Sequence, residues 1–350
     1  MNLKKWGIPL LLPVQLILIS IASNNTDWIE NNYSLSFYPK ISQFLRHIFG
    51  LFSFSIGDIL YLLIIINILA FFVIKIKKNK ITWLQVIQKT LTIFSITYFL
   101  FHLLWGLNYY RKPLHEVLNI ENEYSTEDLE KLTYTLIKKS NELHKTLQQN
   151  DSLAVNYNYS TIEIFNKTNE AYSNVKKVLP QIDYQKKSLK TSLISKPLSY
   201  MGFGGYLNPF TNEAQVNSYI VKYKMPVTSC HEEAHQLGFA KENEANFIGA
   251  MACMESSDTY FKYSGYTFAL RYCINELHKL DEQKGFCALE KIRPGILVNY
   301  KEISDFWKFH ENPFEPLFKV FYNEFLKVNN QEGGLESYNY MVALLVNFLK

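Results

Sequence analysis

Two histidines four residues apart, in His231-Glu232-Glu233-Ala234-His235, constrain this chain more than any other feature. Four residues of α-helix bring side chains back to within about 40° of each other, so on a helix both imidazoles can face one metal ion. Glu232 then stands where it can take a proton from a water on that ion. The pattern is the His-Glu-x-x-His of zinc proteases, with His231 and His235 as ligands and Glu232 as general base. The flanks suit a short helix. Pro226 opens it, Thr228 or Ser229 can cap it, and Gly238 can end it in a left-handed turn.

A zinc site that keeps one position open needs a third protein ligand. The stretch Glu242-Asn243-Glu244-Ala245-Asn246-Phe247-Ile248-Gly249-Ala250 reads as a second helix. Glu242, Ala245, Asn246, Gly249 and Cys253 share one of its faces. That face carries one carboxylate among small residues, which permits close approach to the first helix and makes Glu242 the expected third ligand. Asn246, one turn on, is the expected hydrogen-bonding partner of a ligand histidine. Glu244 points about 160° away from that face and is the competitor. A solvated carboxylate is the plain alternative for either. Lys241 stands where a third histidine would, so the ligand set is His, His, Glu.

The 48% hydrophobic content averages two unlike parts. Residues 6–23, 59–75 and 87–106 are apolar runs long enough to cross a bilayer. Lys4 and Lys5 precede the first run, and Lys75, Lys77, Lys78 and Lys80 separate the second from the third. Excess lysine marks the cytoplasmic side, so three crossings put everything after about residue 107 outside the cytoplasm. Arg111 and Lys112, just past the third run, oppose that assignment. The segment 24–55 reads as an amphipathic helix at the outer membrane surface.

The net charge of +4 belongs mostly to these flanks, and no basic stripe suggests nucleic acid. Lys176-Lys177 and Lys186-Lys187 with Lys190 read as a solvated face. Cys230, Cys253, Cys273 and Cys287 contain no C-x-x-C pair, which argues against a cysteine zinc site. Cys230 and Cys253 read as small buried thiols.

Residues 107–350 suffice for one sizeable domain. Ser125-Thr-Glu-Asp128 resembles a capping box and opens a helix to about Gln149. Further helical patterns cover 160–178, 243–256, 259–281, 300–309, 315–329 and 334–348. The glycine- and proline-punctuated stretch 192–221 is the only expected β region. Within it, Gly202–Thr211 offers either an edge strand for an extended peptide or a buried hairpin. Tyr338 and Tyr340 are candidate donors to an oxyanion, with ordinary packing as the alternative. The expected fold is mainly α: three N-terminal transmembrane helices in 1–106, then a zincin-like α+β domain with a small sheet in 107–350.

The run Pro226–Ala250, with Ser199–Thr211 and Glu332–Tyr338, resembles domain-of-unknown-function family 3810, bacterial membrane proteins with a zincin-type domain. Glu242-Asn-Glu-Ala-Asn246 is also similar to the third-ligand helix of Glu-type zincins, whose first glutamate binds metal. Motif and resemblance together imply a multi-pass protein of the bacterial inner (plasma) membrane with its C-terminal domain extracytoplasmic. They imply Zn2+ as cofactor, the lipid bilayer as a partner, and hydrolysis of peptide bonds in an extracytoplasmic protein or peptide. The alternative is a non-catalytic zinc-containing sensor or scaffold, which would have no use for Glu232. Three spans with few intramembrane charges argue against a carrier.

Overall fold

Among the described residues the apolar first third of the chain is mainly helical, the form in which a backbone satisfies its own hydrogen bonds. Its elements are α1 (Gly7–Ser23), α2 (Thr26–Trp28), α3 (Tyr38–Phe49), α4 (Ile56–Phe71) and α5 (Trp83–Leu104). A π-helical stretch, Ile29–Phe37, joins α2 to α3. The computed structural model describes residues 5–71, 73, 82–180, 182–185, 187–331, 333–334 and 340–350. Among them α5 is the one single helix long and apolar enough to cross a membrane, while α1 and α4 have 17 and 16 residues. Lys4 and the lysines at 75, 77, 78 and 80, expected on the cytoplasmic side, lie outside the described residues.

α1 packs along α5, where Gln15 Nε2 donates to Ser95 Oγ (3.1 Å) and Ser95 Oγ donates to the Ile8 carbonyl (3.0 Å). The helix Thr26–Phe49 then turns by 94° from α1. One of its faces buries Ile29, Glu30, Tyr33, Tyr38 and Arg46, whereas Trp28, Leu35, Phe37 and Phe44 stay exposed. The segment expected at the membrane surface is therefore also packed against the rest of the molecule. α4 is anchored there too. Glu213 accepts from the free amides of Ile56 (3.2 Å) and Gly57 (2.5 Å), a carboxylate placed at a helix N-terminus. Asp58, fully buried, accepts from Ser192 Oγ (3.0 Å) and the Leu193 amide (2.7 Å).

The rest is mainly helical: α6 (Leu114–Val117), α7 (Thr126–Leu147), α8 (Thr161–Val175), α9 (Ser195–Met201), α10 (Met225–Gln236) and α11 (Glu242–Glu255) come first. α12 (Thr259–Leu280), α13 (Glu282–Leu289), α14 (Pro294–His310), α15 (Glu315–Val328) and α16 (Met341–Phe348) follow. The core lies where α12 packs on α7 and α11, and α11 packs on α10. An open three-stranded sheet has the order β1 (Leu189–Thr191), β3 (Glu213–Val216), β2 (Gly205–Asn208). β1 runs parallel to β3, with Leu189 opposite Ala214, and β2 runs antiparallel to it, with Gly205 opposite Val216. β3 faces α10, so the sheet backs the histidine helix.

Local signals account for most of these boundaries. Ser125 Oγ accepts from the Asp128 amide (3.1 Å) to start α7, and Ser160 with Glu163 forms a full capping box for α8. The expected cap of α10 was misplaced. The helix begins at Met225 with Pro226 in its first turn, continuing a single turn at Lys222–Lys224, so Thr228 and Ser229 lie inside it. The basic stretch at 186–190 is not simply a solvated face either. Lys190 is buried and donates to the Phe52 carbonyl, and Lys187 donates to the Phe165 carbonyl.

Arg111 and Lys112, which opposed the topology assignment, are both paired. Lys112 meets Asp27 at 3.0 Å on the surface. Arg111 is buried with Glu30 in a two-pronged pair, Nη2–Oε1 2.7 Å and Nε–Oε2 3.0 Å, and its Nη1 donates to the Gly238 carbonyl (3.1 Å). Removing one partner of such a pair strands the other charge in the interior. Glu30→Ala should therefore cost about 3–5 kcal/mol in denaturant unfolding. The double replacement Glu30→Leu with Arg111→Met should recover a substantial part. A loss no larger than that from Asp27→Ala would contradict this.

Candidate metal centre

α10 turns His231 and His235 to one side, with their Nε2 atoms 3.1 Å apart. α11 is pressed against the same helix at Gly249. A β-carbon there would stand 2.9 Å from the His231 nitrogen and 3.2 Å from the Val227 carbonyl, so the small-residue face is what permits the contact. The approach brings in Glu242, whose Oε2 lies 3.2 Å from His231 Nε2 and whose Oε1 lies 3.6 Å from His235 Nε2. Zinc bonds of about 2.0–2.1 Å in a tetrahedron set ligand atoms about 3.3 Å apart, and these separations bracket that value. The three side chains fit a metal ion of that size. A carboxylate oxygen of Glu232 joins them, within 4.8 Å of a ring nitrogen of each histidine. Glu232 is 4% exposed, and its Oε2 has no hydrogen-bond partner.

The competitor is employed elsewhere. Glu244 is buried, and its Oε1 accepts from the Leu114 amide (2.8 Å) at the start of α6. Asn246 lines the cavity in front of the metal ligands, but no hydrogen bond joins it to a histidine. Asn246 Nδ2 and His231 Nδ1 are both buried without partners. The partner that the structure does give a ligand histidine is a backbone group, the Phe239 carbonyl, 2.7 Å from His235 Nδ1. Gly238, at φ +87°, makes this possible. The left-handed turn puts the Phe239 amide on the Ala234 carbonyl (3.2 Å) and folds the Phe239 carbonyl back to the ring. With Nδ1 donating, the His235 Nε2 lone pair faces the metal position.

The end of α10 is held from outside. Trp105 Nε1 donates to the His235 carbonyl (3.1 Å), Tyr38 Oη to the Gln236 carbonyl (2.9 Å), and Arg111 to that of Gly238. Sequence reading missed these residues because nothing local in 30–111 marks a distant helix end. It also missed Tyr322 on α15, whose Oη donates to Glu242 Oε1 at 2.6 Å. Of the tyrosines it weighed, Tyr338 lies outside the described residues and Tyr340 is exposed. Cys230 of α10 and Cys253 of α11 are buried free thiols, with Sγ atoms 3.7 Å apart.

Burial opposes a charge on His235, but the Glu242 and Glu232 carboxylates outweigh it and hold the imidazole up at about 9. Burial pushes the Glu232 carboxyl up to about 8 and the His231 imidazole down. Glu242 is held well below the usual range, since the two imidazoles outweigh its burial. The protein groups alone thus call for positive charge at the point where the three ligand atoms converge. In front of them lies a cavity of about 810 Å3 with largely aromatic walls, and Gly205 of β2 passes so close to Glu232 that a β-carbon would be 2.6 Å from its Oε1.

Two histidines on one helix and a glutamate on the next, with a glutamate inside the His-Glu-x-x-His run, form the metal site arrangement of a Glu-type zincin. The chain belongs to the family described as protein of unknown function (DUF3810), which matches residues 33–346. Comparison with curated proteins and with solved structures gives no match.

Two outcomes follow for metal binding. Glu242→Ala should lose bound zinc, measured per chain by atomic absorption after dialysis, whereas Glu244→Ala should keep zinc and lose stability; the reverse pattern would move the ligand role to Glu244. Because a metal needs neutral His235 and favours ionised Glu232, binding at pH 7 should release about one to two protons. Affinity should then rise with pH until about 9, where His235 has no proton left to displace. Calorimetry in buffers of different ionisation enthalpy checks this, and a pH-independent affinity from 7 to 9 would contradict it.

Proposed function

We propose that this protein is a membrane-anchored zinc metallopeptidase acting on an extracytoplasmic protein or peptide, with His231, His235 and Glu242 as zinc ligands. The observation that carries the reading is Glu232. A carboxylate with an unpartnered buried oxygen, set beside three converging ligand atoms, is costly for a structural site and useful only for moving a proton. A zinc ion held there supplies Lewis acidity toward a peptide carbonyl and acidifies a water. Glu232 takes the proton from the attacking water and passes it to the leaving amine. Tyr322 keeps Glu242 oriented through its 2.6 Å hydrogen bond. β2, at the edge of the sheet beside Glu232, leaves one row of backbone groups for an extended peptide. Asn246, one turn from Glu242 and facing the cavity, is assigned a hydrogen-bonding role toward His231 once metal and substrate are in place.

The anchor comprises residues 1–106, with spans at about 6–23, 59–75 and 87–106, and the outer domain 107–350 is extracytoplasmic at the bacterial inner membrane. The 94° turn after α1 supports this, because a helix perpendicular to a span lies along the membrane surface. The exposed Trp28, Leu35, Phe37 and Phe44 would then face lipid. Alkaline phosphatase fused after residue 120 should be active, and a silent fusion with a fluorescent cytoplasmic reporter at the same point would reverse the orientation.

Glu232→Gln keeps the side-chain shape but cannot accept the proton. Zinc content should stay as in wild type while turnover falls about 10²–10⁴-fold. Substrates can be sought by comparing extracytoplasmic proteins of cells with and without the active protein. If the Gln variant restores a deletion strain as fully as wild type does, the peptidase reading fails and a zinc scaffold takes its place.

A further inference from the structure

The cavity in front of Glu232 is not walled by the outer domain alone. Phe94, Thr97, Tyr98 and Phe101 of α5 line it together with His231 and Glu232. These four residues are spaced i, i+3, i+4, i+7, so they form one stripe on one face of the helix. α1 covers a different part of α5, through Ser95, and leaves the stripe open. Tyr61 of α4 lines the same cavity from the other side.

α5 is also the helix best suited to cross the membrane, and the residue after its end, Trp105, bonds to the carbonyl of His235. The metal ligands therefore sit at the mouth of a membrane-crossing helix. Phe94 lies eleven residues before Trp105, about 16 Å farther along the helix axis. The cavity thus runs from the metal ligands down α5 into the apolar layer, and Phe94 at its far end is 63% exposed. A water-borne extended segment reaching that depth must strip the water from its backbone amides, which a spanning helix has already satisfied internally. A segment that already stands in the bilayer loses no hydration by lying against the aromatic wall.

We propose that the substrate is a membrane-anchored polypeptide, whose apolar segment lies along the Phe94–Phe101 stripe and leads its adjoining peptide bond up to Glu232. The proposal rests on the peptidase reading for the bond cleaved, and on the cavity alone for the partner bound.

The test reads contact rather than cleavage. The full chain carrying Glu232→Gln is loaded with zinc and reconstituted in vesicles of phosphatidylethanolamine and phosphatidylglycerol. A photoreactive benzoylphenylalanine replaces Phe94, Thr97 or, as a lipid-facing control on α1, Ile17. One probe is a peptide with a Leu/Ala span of about 20 residues and a short polar flank; the other is the flank alone. Crosslinks to the spanning peptide should be several-fold stronger from positions 94 and 97 than from 17, and absent with the flank alone. In the chain with the photoreactive group at 94, adding Thr97→Trp, which fills the channel, should weaken them. Equal yields at all three positions would show chance collision in the bilayer and overturn the proposal. Crosslinks to lipid only, or to the soluble flank only, would overturn it too. Complementation by Glu232→Gln would remove the peptidase reading without touching this result, so the two ideas fail separately.

Discussion

The last turn of α10 ends inside the protein, and its carbonyls must be satisfied there. A helix leaves its final four carbonyls without partners of its own, and burying them unpaired costs more than most side-chain contacts return. Here Leu237 and the Schellman turn at Gly238 satisfy those of Glu233, Ala234 and His235, and Tyr38 takes that of Gln236. Trp105 adds a second bond at His235, and Arg111 holds the Gly238 carbonyl just beyond the helix. The same turn returns the Phe239 carbonyl to the His235 ring. Thus the bonds that end the helix also aim a metal ligand. Loosening Arg111 from Glu30 would therefore reach the site through the backbone of Gly238, without any contact to the metal ligands themselves.

Electrostatics then decide what the aimed groups can hold. Glu242 and Glu232 are both buried within reach of His235, and no lysine or arginine forms an ion pair with either among the described residues. Such a concentration of carboxylate is unfavourable unless a cation balances it. A dication at the three ligand atoms supplies that balance and would draw the Glu232 carboxyl back down from about 8 toward an ionised base. Tyr322, donating to Glu242, lowers the cost of that carboxylate without adding charge.

The parts of this arrangement that depend on spacing were legible in the sequence. The i, i+4 histidines and the small-residue face from Glu242 to Cys253 foretold two helices in close contact, and Gly238 foretold the left-handed stop. Ser125 marked a helix start for the same local reason. What was not legible depends on groups far apart in the chain. Arg111 read as a stray charge because its partner, Glu30, is 81 residues away. Glu244 read as a solvated competitor because the Leu114 amide it caps is 130 residues distant. The short helix Ser195–Met201 was hidden by Pro197 within it and by Gly202, Gly204 and Gly205 after it, and β1 lies just before the expected β region.

The docking of α4 on Glu213 and the clamp on α10 give the molecule a built-in tether between place and competence. A fragment cut free near residue 107 would lose Tyr38, Trp105 and Glu30 together, and with them the bonds to the His235 and Gln236 carbonyls and the carboxylate that holds Arg111. The ligand end of α10 would then be short of two of its outside supports, so the site as folded depends on the apolar segments that precede it.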